Sequence, residues 1–301
     1  MRNIFTIIVT YNPNYDVLFL NIKRLLLSSN VIIVDNTPDT DAVNLYEDRF
    51  SDTEYNVEYF ALRENKGIAY AQNKGFIEGL KKKADFFILL DQDSNINDGF
   101  ISHLMDEYNV AIEHFKKVAA IGPAIINERN HTQDNYEISK SVKTYNGIYD
   151  VDVLISSGSL IPVDALVEVG MNNSSLFIDL VDFEWCYRAK YAGYHVLMTS
   201  NVTMKHNVGL TDKKIWRGKY TSICSPFRLY YVFRNCIFAV KMPHFPLSFK
   251  FRIILSLPLK CLIHMTCDRK FERLGYICKG VIDGVLSRAG DYNKNWVKNK
   301  K

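Results

Sequence analysis

The chain has 301 residues, 48% of them hydrophobic and 23% charged, the composition of a globular protein long enough for one large α/β domain with an appendage or two modest domains. Its six cysteines include no CxxC pair, which argues against a zinc ribbon or a thioredoxin-like centre and for reduced cytosolic thiols. The net charge of +4 is unevenly divided: residues 1–212 carry 18 Lys and Arg against 29 Asp and Glu, residues 213–301 carry 19 against 4.

The opening apolar run, Ile4 to Val9, is too short for a secretory leader and passes directly into Thr10-Tyr11-Asn12-Pro13, so it is expected to be a first strand. From there to residue 125, β-type runs alternate with helical patterns. The expected strands are Ile4–Thr10, Val31–Asp35, Val57–Leu62, Phe86–Asp91 and Val118–Ile125, and the expected helices Tyr15–Ser28, Thr40–Phe50, Gly67–Lys83 and Asp98–Lys117. This order predicts a parallel sheet with crossover helices. It also gathers polar residues at the carboxyl ends of strands: Thr10, Tyr11 and Asn12, then Asp35 and Asn36, then Asp91 and Asp93. Ligands bind at that edge of open α/β sheets.

The fourth strand runs into Ile88-Leu89-Leu90-Asp91-Gln92-Asp93-Ser94-Asn95. An EF-hand loop starting at Asp91 would need glycine and glutamate where Ile96 and Ser102 stand. An aspartate-nucleophile phosphatase would place the motif on its first strand, with Thr or Val where Asn95 stands. An ordinary polar turn remains open, as does a clamp in which one carboxylate faces a divalent cation and the other a ribose hydroxyl; hard oxygen ligands suit Mg²⁺ or Mn²⁺.

Residues 126–155 read as irregular and strand-rich, Ser156-Ser157-Gly158-Ser159 as a small-residue turn, and Pro162 as the first turn of a helix through Val169. A helix over Val181–Ala192 is expected, ended by Gly193, then a strand pair His195–Thr199 and Val202–His206. Asp179, Asp182 and Glu184 stand near the start of that helix, where acids also complement its dipole. Asp179 and Asp182 share a helical face and Glu184 is turned off it, so one of the three is available as a general base. His206 is a further metal-ligand candidate, although a lone histidine is more often structural.

Beyond residue 213 the pattern changes to amphipathic helices at about 226–240, 246–265 and 269–288, with cations interleaved. The most apolar stretch, residues 245–265, is interrupted by Lys250, Arg252, Pro258 and Lys260, so peripheral docking on an anionic membrane is expected rather than a span. A solvated basic face, packing on the N-terminal domain or a homodimer interface are the alternatives. No nucleic-acid recognition motif is present.

Taken in order, these segments resemble glycosyltransferase family 2, and within it the bacterial rhamnosyltransferase-like members. The resemblance covers about residues 4–210: Ile8-Val9-Thr10-Tyr11-Asn12, Val34-Asp35-Asn36, the run Arg63 to Gly75, Asp91-Gln92-Asp93-Ser94, Ser157-Gly158-Ser159, the segment Asp179 to Arg188, and His206 with Gly209. It implies a GT-A fold, the Rossmann-like, mostly parallel sheet of nucleotide-diphospho-sugar transferases, over residues 1–212, with a helical C-terminal region at 213–301. Residues 1–125 would mainly bind the nucleotide sugar, and 126–212 would supply the acceptor side and the base.

Carried over position by position, the resemblance implies that Thr10, Tyr11 and Asp35 hold the base and ribose, joined by Asn12, Asn36, Asn65, Lys66, Gly67, Asn73, Asp91 and Gln92. Asp93 and His206 would bind Mg²⁺ or Mn²⁺. Aligning Cys186 and Arg188 with the family pattern places the base at Asp182, although Val181 replaces a common glutamate and Asp179 stays open as an alternative. Ser157, Gly158, Asp179, Glu184, Trp185 and Arg188 would face the acceptor. The implied reaction is inverting transfer of L-rhamnose from dTDP-β-L-rhamnose to a lipid-linked saccharide, at the cytoplasmic face of the cell membrane, in cell-surface polysaccharide synthesis. A UDP-hexose donor and a non-catalytic nucleotide-sugar-binding scaffold are the competing expectations.

Overall fold

Runs of β-branched and aromatic residues pair at the N-terminal end of the chain as their apolar character requires. The structure, a computed structural model, describes residues 2–38, 57–126, 144–205, 211–214 and 220–297. Strands β1 (Ile4–Thr10), β2 (Asn30–Asp35), β3 (Val57–Ala61) and β4 (Phe86–Asp91) are mutually parallel in the order β3-β2-β1-β4. β1 and β4 are buried almost throughout, and both their faces are covered, as parallel strands demand. Ile4 and Ile8 pack with Leu18, Ile22 and Leu25 of helix α1 (Tyr15–Leu25) and with Leu104 of α3 (Phe100–His114). Phe5 and Ile7 face the other way, towards Phe76 of α2 (Ile68–Lys81).

The sheet continues through β5 (Val118–Ile126), β6 (Thr144–Tyr145), β7 (Ile148–Asp150), β8 (Leu160–Pro162) and β9 (His195–Lys205) to a full order of β3-β2-β1-β4-β8-β5-β9-β7-β6. β8 lies antiparallel between β4 and β5, so the sheet is mixed beyond β4. Two helices flank this half, α4 (Val163–Val169) and α5 (Val181–Tyr191). Where two strands were expected after residue 195 there is one, β9. Its pairing with β5 jumps from Thr199 opposite Pro123 to Thr203 opposite Ala124, so residues 200–202 bulge out of an otherwise continuous strand. A separate hairpin joins β10 (Thr211–Lys214) to β11 (Tyr220–Ile223). The helix expected at 40–50 and His206 lie outside the described residues.

The C-terminal region differs from the amphipathic pattern at its first helix, α6 (Pro226–Lys241). α6 buries residues on nearly every side, among them Leu229, Tyr230, Tyr231, Phe233, Arg234, Asn235 and Phe238, as a helix apolar around its circumference must. α8 (Lys270–Val285) crosses it closely: a Cβ on Gly280 would stand 2.4 Å from the Tyr230 carbonyl oxygen. α7 (Leu247–Met265) buries Phe249, Ile253 and His264 but leaves Leu247, Phe251, Leu255, Leu259 and Leu262 exposed. A short α9 (Tyr292–Trp296) closes the described chain. No helix among the described residues is long and apolar enough to cross a membrane.

Candidate active site

Parallel pairing sets the carboxyl ends of three strands level, with Thr10 opposite Asp35 and Val9 opposite Asp91. A cleft of about 400 Å³ opens at this edge. It is lined by Tyr11, Asn36, Asn65, Gly67, Asp91, Gln92 and Asp93 from the N-terminal half of the sheet and its connections, and by Phe177, Ile178, Ser225, Phe227, Arg228 and Tyr231 from later in the chain.

The acidic pair sits on a braced turn. The Asp91 amide donates to the hydroxyls of Ser94 (3.1 Å) and Ser157 (3.2 Å), which are 2.5 Å from each other. The Ser94 amide closes the turn onto the Asp91 carbonyl at 3.1 Å. Ser157 is 1% exposed, and the Gly158 amide donates to the Leu89 carbonyl at 2.8 Å. These two residues, expected at the acceptor, buttress the turn instead. Asp93 is exposed on the cleft wall and makes no hydrogen bond or ion pair among the described residues, which suits a ligand for a hard cation. Asp91 and Asp93 are the carboxylates the structure brings to the cleft.

The nucleotide-side residues divide into lining and support. The Gln92 side chain clasps the Tyr11 backbone, accepting from its amide at 2.7 Å and donating to its carbonyl at 3.3 Å. The Asn12 amide donates to the Thr37 hydroxyl at 2.9 Å. The Asn36 amide group donates to Asn65 Oδ1 at 2.9 Å, and its own oxygen accepts from the Lys66 amide at 2.8 Å. Lys66 pairs with Glu64 at 2.9 Å and lies over the Tyr70 ring. Asp35 is fully buried, with its carboxylate taken by the Thr37 amide (3.0 Å) and the Tyr59 hydroxyl (2.5 Å). Asn73 ties α2 to the segment leading to the base candidates, through Asn172 and Ser174. The Thr10 hydroxyl is buried without a hydrogen-bond partner among the described residues, a cost of about 1–3 kcal/mol that a ligand or an ordered water would relieve.

Residues 177–180 carry unusual backbone: Phe177, Asp179 and Leu180 all have φ between +60° and +66°, a region L-residues adopt at a cost of about 1–3 kcal/mol each. Two fully buried residues of α6 hold this bend. The Asn235 side chain donates to the carbonyls of Leu176, Ile178 and Asp179 at 2.7–2.9 Å, and Arg234 donates to those of Ser175 (3.1 Å) and Leu176 (2.8 Å). Gly67 fits against it because a Cβ there would lie 2.5 Å from the Phe177 carbonyl oxygen. The bend turns the Asp179 carboxylate onto Arg228, which grips it with Nε at 2.9 Å from both oxygens and Nη2 at 2.6 Å.

Asp182 follows in the first turn of α5, half-buried, in the wall of a smaller neighbouring cavity with Leu89, Leu154, Ser156 and Trp185. Burial raises its carboxyl pKa to about 6, and the nearby charges of Asp91 and Asp179 push the same way. Glu184, Trp185 and Arg188, expected to meet the acceptor, are turned into the fold. Glu184 is 2% exposed and bound by Arg188 at 2.8 Å, with the His244 ring nitrogen Nε2 3.1 Å away. Arg188 also donates to the Val169 and Met171 carbonyls, and the Trp185 indole donates to the Gly170 carbonyl at 2.8 Å.

The cleft residues the sequence reading missed, Ser225, Phe227, Arg228 and Tyr231, all begin α6. Ser225-Pro226 does signal a helix start, and Ser225 caps it by accepting from the Arg228 amide at 3.4 Å. Nothing in the local pattern says that this start closes over the sheet edge.

The model of the family described as "Glycosyl transferase family 2" matches residues 6–160. A dTDP-rhamnosyl transferase, RfbF of Shigella flexneri, is 32% identical over 97% of this chain and 99% of its own length. Among solved structures, the mannosyltransferase PcManGT from Pyrobaculum calidifontis, in complex with GDP-Man and Mn²⁺, superposes with a TM-score of 0.58 at 12% identity, over 96% of this chain and 88% of that one. GalNAc-T7 with UDP, GalNAc and Mn²⁺ gives 0.55 at 14% identity over 96% of this chain, which spans 56% of that longer protein. At these identities the solved structures show a shared fold, the GT-A fold.

Proposed function

The chain belongs to glycosyl transferase family 2 and is a glycosyltransferase, and from that premise we propose that it transfers L-rhamnose, with inversion, from dTDP-β-L-rhamnose to a lipid-linked saccharide in cell-surface polysaccharide synthesis. The observation that carries this reading is an acidic turn facing a nucleotide-sized cleft, with a carboxylate whose proton affinity is raised towards neutrality, Asp182, in the wall of the neighbouring cavity. The name of the relative from Shigella flexneri supports the choice of dTDP-rhamnose.

In this reading Tyr11, Asn36, Asn65 and Gln92 form the nucleoside wall, and Thr10 gains a partner for its hydroxyl. Asp93, with Asp91 beside it, would hold Mg²⁺ or Mn²⁺; His206 is proposed as a further ligand. The cation, when bound, would neutralise the charge that develops on the departing diphosphate. Asp182 takes the proton of the acceptor hydroxyl as that oxygen attacks the anomeric carbon; a base with pKa near 6 is ionised at neutral pH and still basic enough to accept a proton. The C–O bond from the sugar to the diphosphate breaks as the new bond forms on the opposite face, which gives inversion.

The acceptor's lipid carrier calls for an enzyme that works at a bilayer. α7 and the start of α8 expose Leu247, Phe251, Leu255, Leu259, Leu262 and Phe271, and Lys250, Arg252, Lys260, Arg269 and Lys270 are interleaved with them. Apolar side chains with a cationic rim suit an anionic membrane surface, which we take to be the cytoplasmic leaflet. The test is a donor panel (dTDP-rhamnose, UDP-glucose, UDP-galactose, GDP-mannose) assayed with Mn²⁺ or Mg²⁺ and a lipid-linked acceptor extract. Turnover of dTDP-rhamnose ahead of the rest is expected. Preferential use of a UDP-hexose would overturn the donor assignment, and failure of every donor would overturn the enzymatic one.

A further inference from the structure

We propose that Arg228, held in place by Asp179, binds the diphosphate of the nucleotide donor. The inference rests on the nucleotide-sugar reading above and adds to it a cation supplied by the C-terminal region. Arg228 lies in the first turn of α6 and lines the same cleft as Asp91, Gln92 and Asp93, with its side chain 45% exposed. A nucleoside diphosphate clamped at Asp91 and Asp93 therefore has its phosphates in a cleft that the Arg228 guanidinium also lines.

The way Arg228 is held leaves it ready for a second anion. Asp179 engages Nε and Nη2, whereas Nη1 makes no hydrogen bond among the described residues. A guanidinium carries five N–H donors in one plane, so it can keep its forked pair with a carboxylate and still offer Nη1 to phosphate oxygens. Asp179 thus acts as a positioning residue that fixes the plane of the guanidinium. The left-handed backbone at Phe177, Asp179 and Leu180 gains a purpose, because the bend that Arg234 and Asn235 enforce is what delivers the Asp179 carboxylate to Arg228. The same pairing occupies Asp179, which favours Asp182 as the base.

The test compares nucleotides that differ in one phosphate. With Mg²⁺ present, the full-length protein and its Arg228→Met, Arg228→Lys and Asp179→Asn variants are titrated with dTDP and dTMP by calorimetry. Thermal melts check that each variant is folded. Charge-assisted contacts to phosphate predict that Arg228→Met weakens dTDP about tenfold or more while dTMP changes by less than about twofold. Arg228→Lys, which keeps the charge but loses the fork, should fall between, and Asp179→Asn should show a smaller loss of the same kind. An unchanged dTDP-to-dTMP affinity ratio in folded Arg228→Met or Arg228→Lys would overturn the inference and leave the nucleotide-sugar reading standing. Failure of the wild-type protein to bind dTDP, UDP or GDP would overturn both.

Discussion

At Asp182 two demands oppose each other: burial favours the neutral acid, whereas taking a proton from an acceptor hydroxyl requires the carboxylate. With the carboxyl pKa raised from 3.8 to about 6, the transfer rate should climb with pH through about 6 and level off above it, a limb that a pH–rate profile would reveal. The linkage to stability has the opposite sense. A raised native pKa means the folded state holds the proton more tightly than the unfolded chain, so stability is greatest below about pH 4 and declines as pH rises through about 6. A shift of about two units corresponds to about 3 kcal/mol at neutral pH. Asp182→Asn is therefore expected to abolish transfer while raising the urea midpoint at pH 8, with the gap closing below pH 5; an unchanged or lowered midpoint at pH 8 would count against the burial argument. Asp93→Ala should weaken Mn²⁺ and dTDP binding together if, as proposed, both are held at one turn, and calorimetry with and without metal would separate that from a general loss of structure.

Among the elements, α6 joins the sheet edge to the C-terminal helices. It supplies Arg228 to the cleft, Arg234 and Asn235 to the bend before Asp182, and a backbone surface against which Gly280 of α8 packs. Gly280→Val should destabilise the fold by about 1–3 kcal/mol, since the obstacle is the Tyr230 carbonyl rather than a mobile side chain. Gly275→Ala on the same helix, with nothing within 4 Å of the added carbon, should be neutral or stabilising by up to about 1 kcal/mol; equal melting temperatures for the two variants would contradict the close crossing. This element was also the least legible in the sequence. The parallel strands announced themselves through short apolar runs ending in polar residues, and β1 and β4 begin and end where expected. α6 looked like one more cationic helix, because a periodic pattern does not distinguish an arginine in water from one that, like Arg234, is stacked among Tyr230, Tyr231 and Phe238 and bonded to carbonyls. Glu184, Trp185 and Arg188 were misread for a related reason: proximity in sequence to Asp182 does not say which way a helix turns its side chains.

For the molecule as a whole, the division of charge acquires a geometry. The acidic part builds the sheet and most of the cleft, and the basic part adds α6 to the cleft and carries helices α7 and α8, which leave Leu247, Phe251, Leu255, Leu259, Leu262 and Phe271 exposed. A triple variant Phe251→Glu, Leu255→Glu, Leu259→Glu is expected to lose co-sedimentation with anionic vesicles and to keep dTDP affinity within about twofold, as a surface change remote from the cleft should. Retained sedimentation would point instead to a protein partner, such as a second copy. The central claim, sugar transfer by single displacement with Asp182 as base, is tested most directly by the anomeric configuration of the product. Incubated with dTDP-β-L-rhamnose, Mn²⁺ and a lipid-linked acceptor extract, the enzyme should yield rhamnose in the α configuration, read by NMR, with one dTDP released per linkage formed. A β-linked product would contradict the account, because it requires a double displacement for which no nucleophile has been assigned.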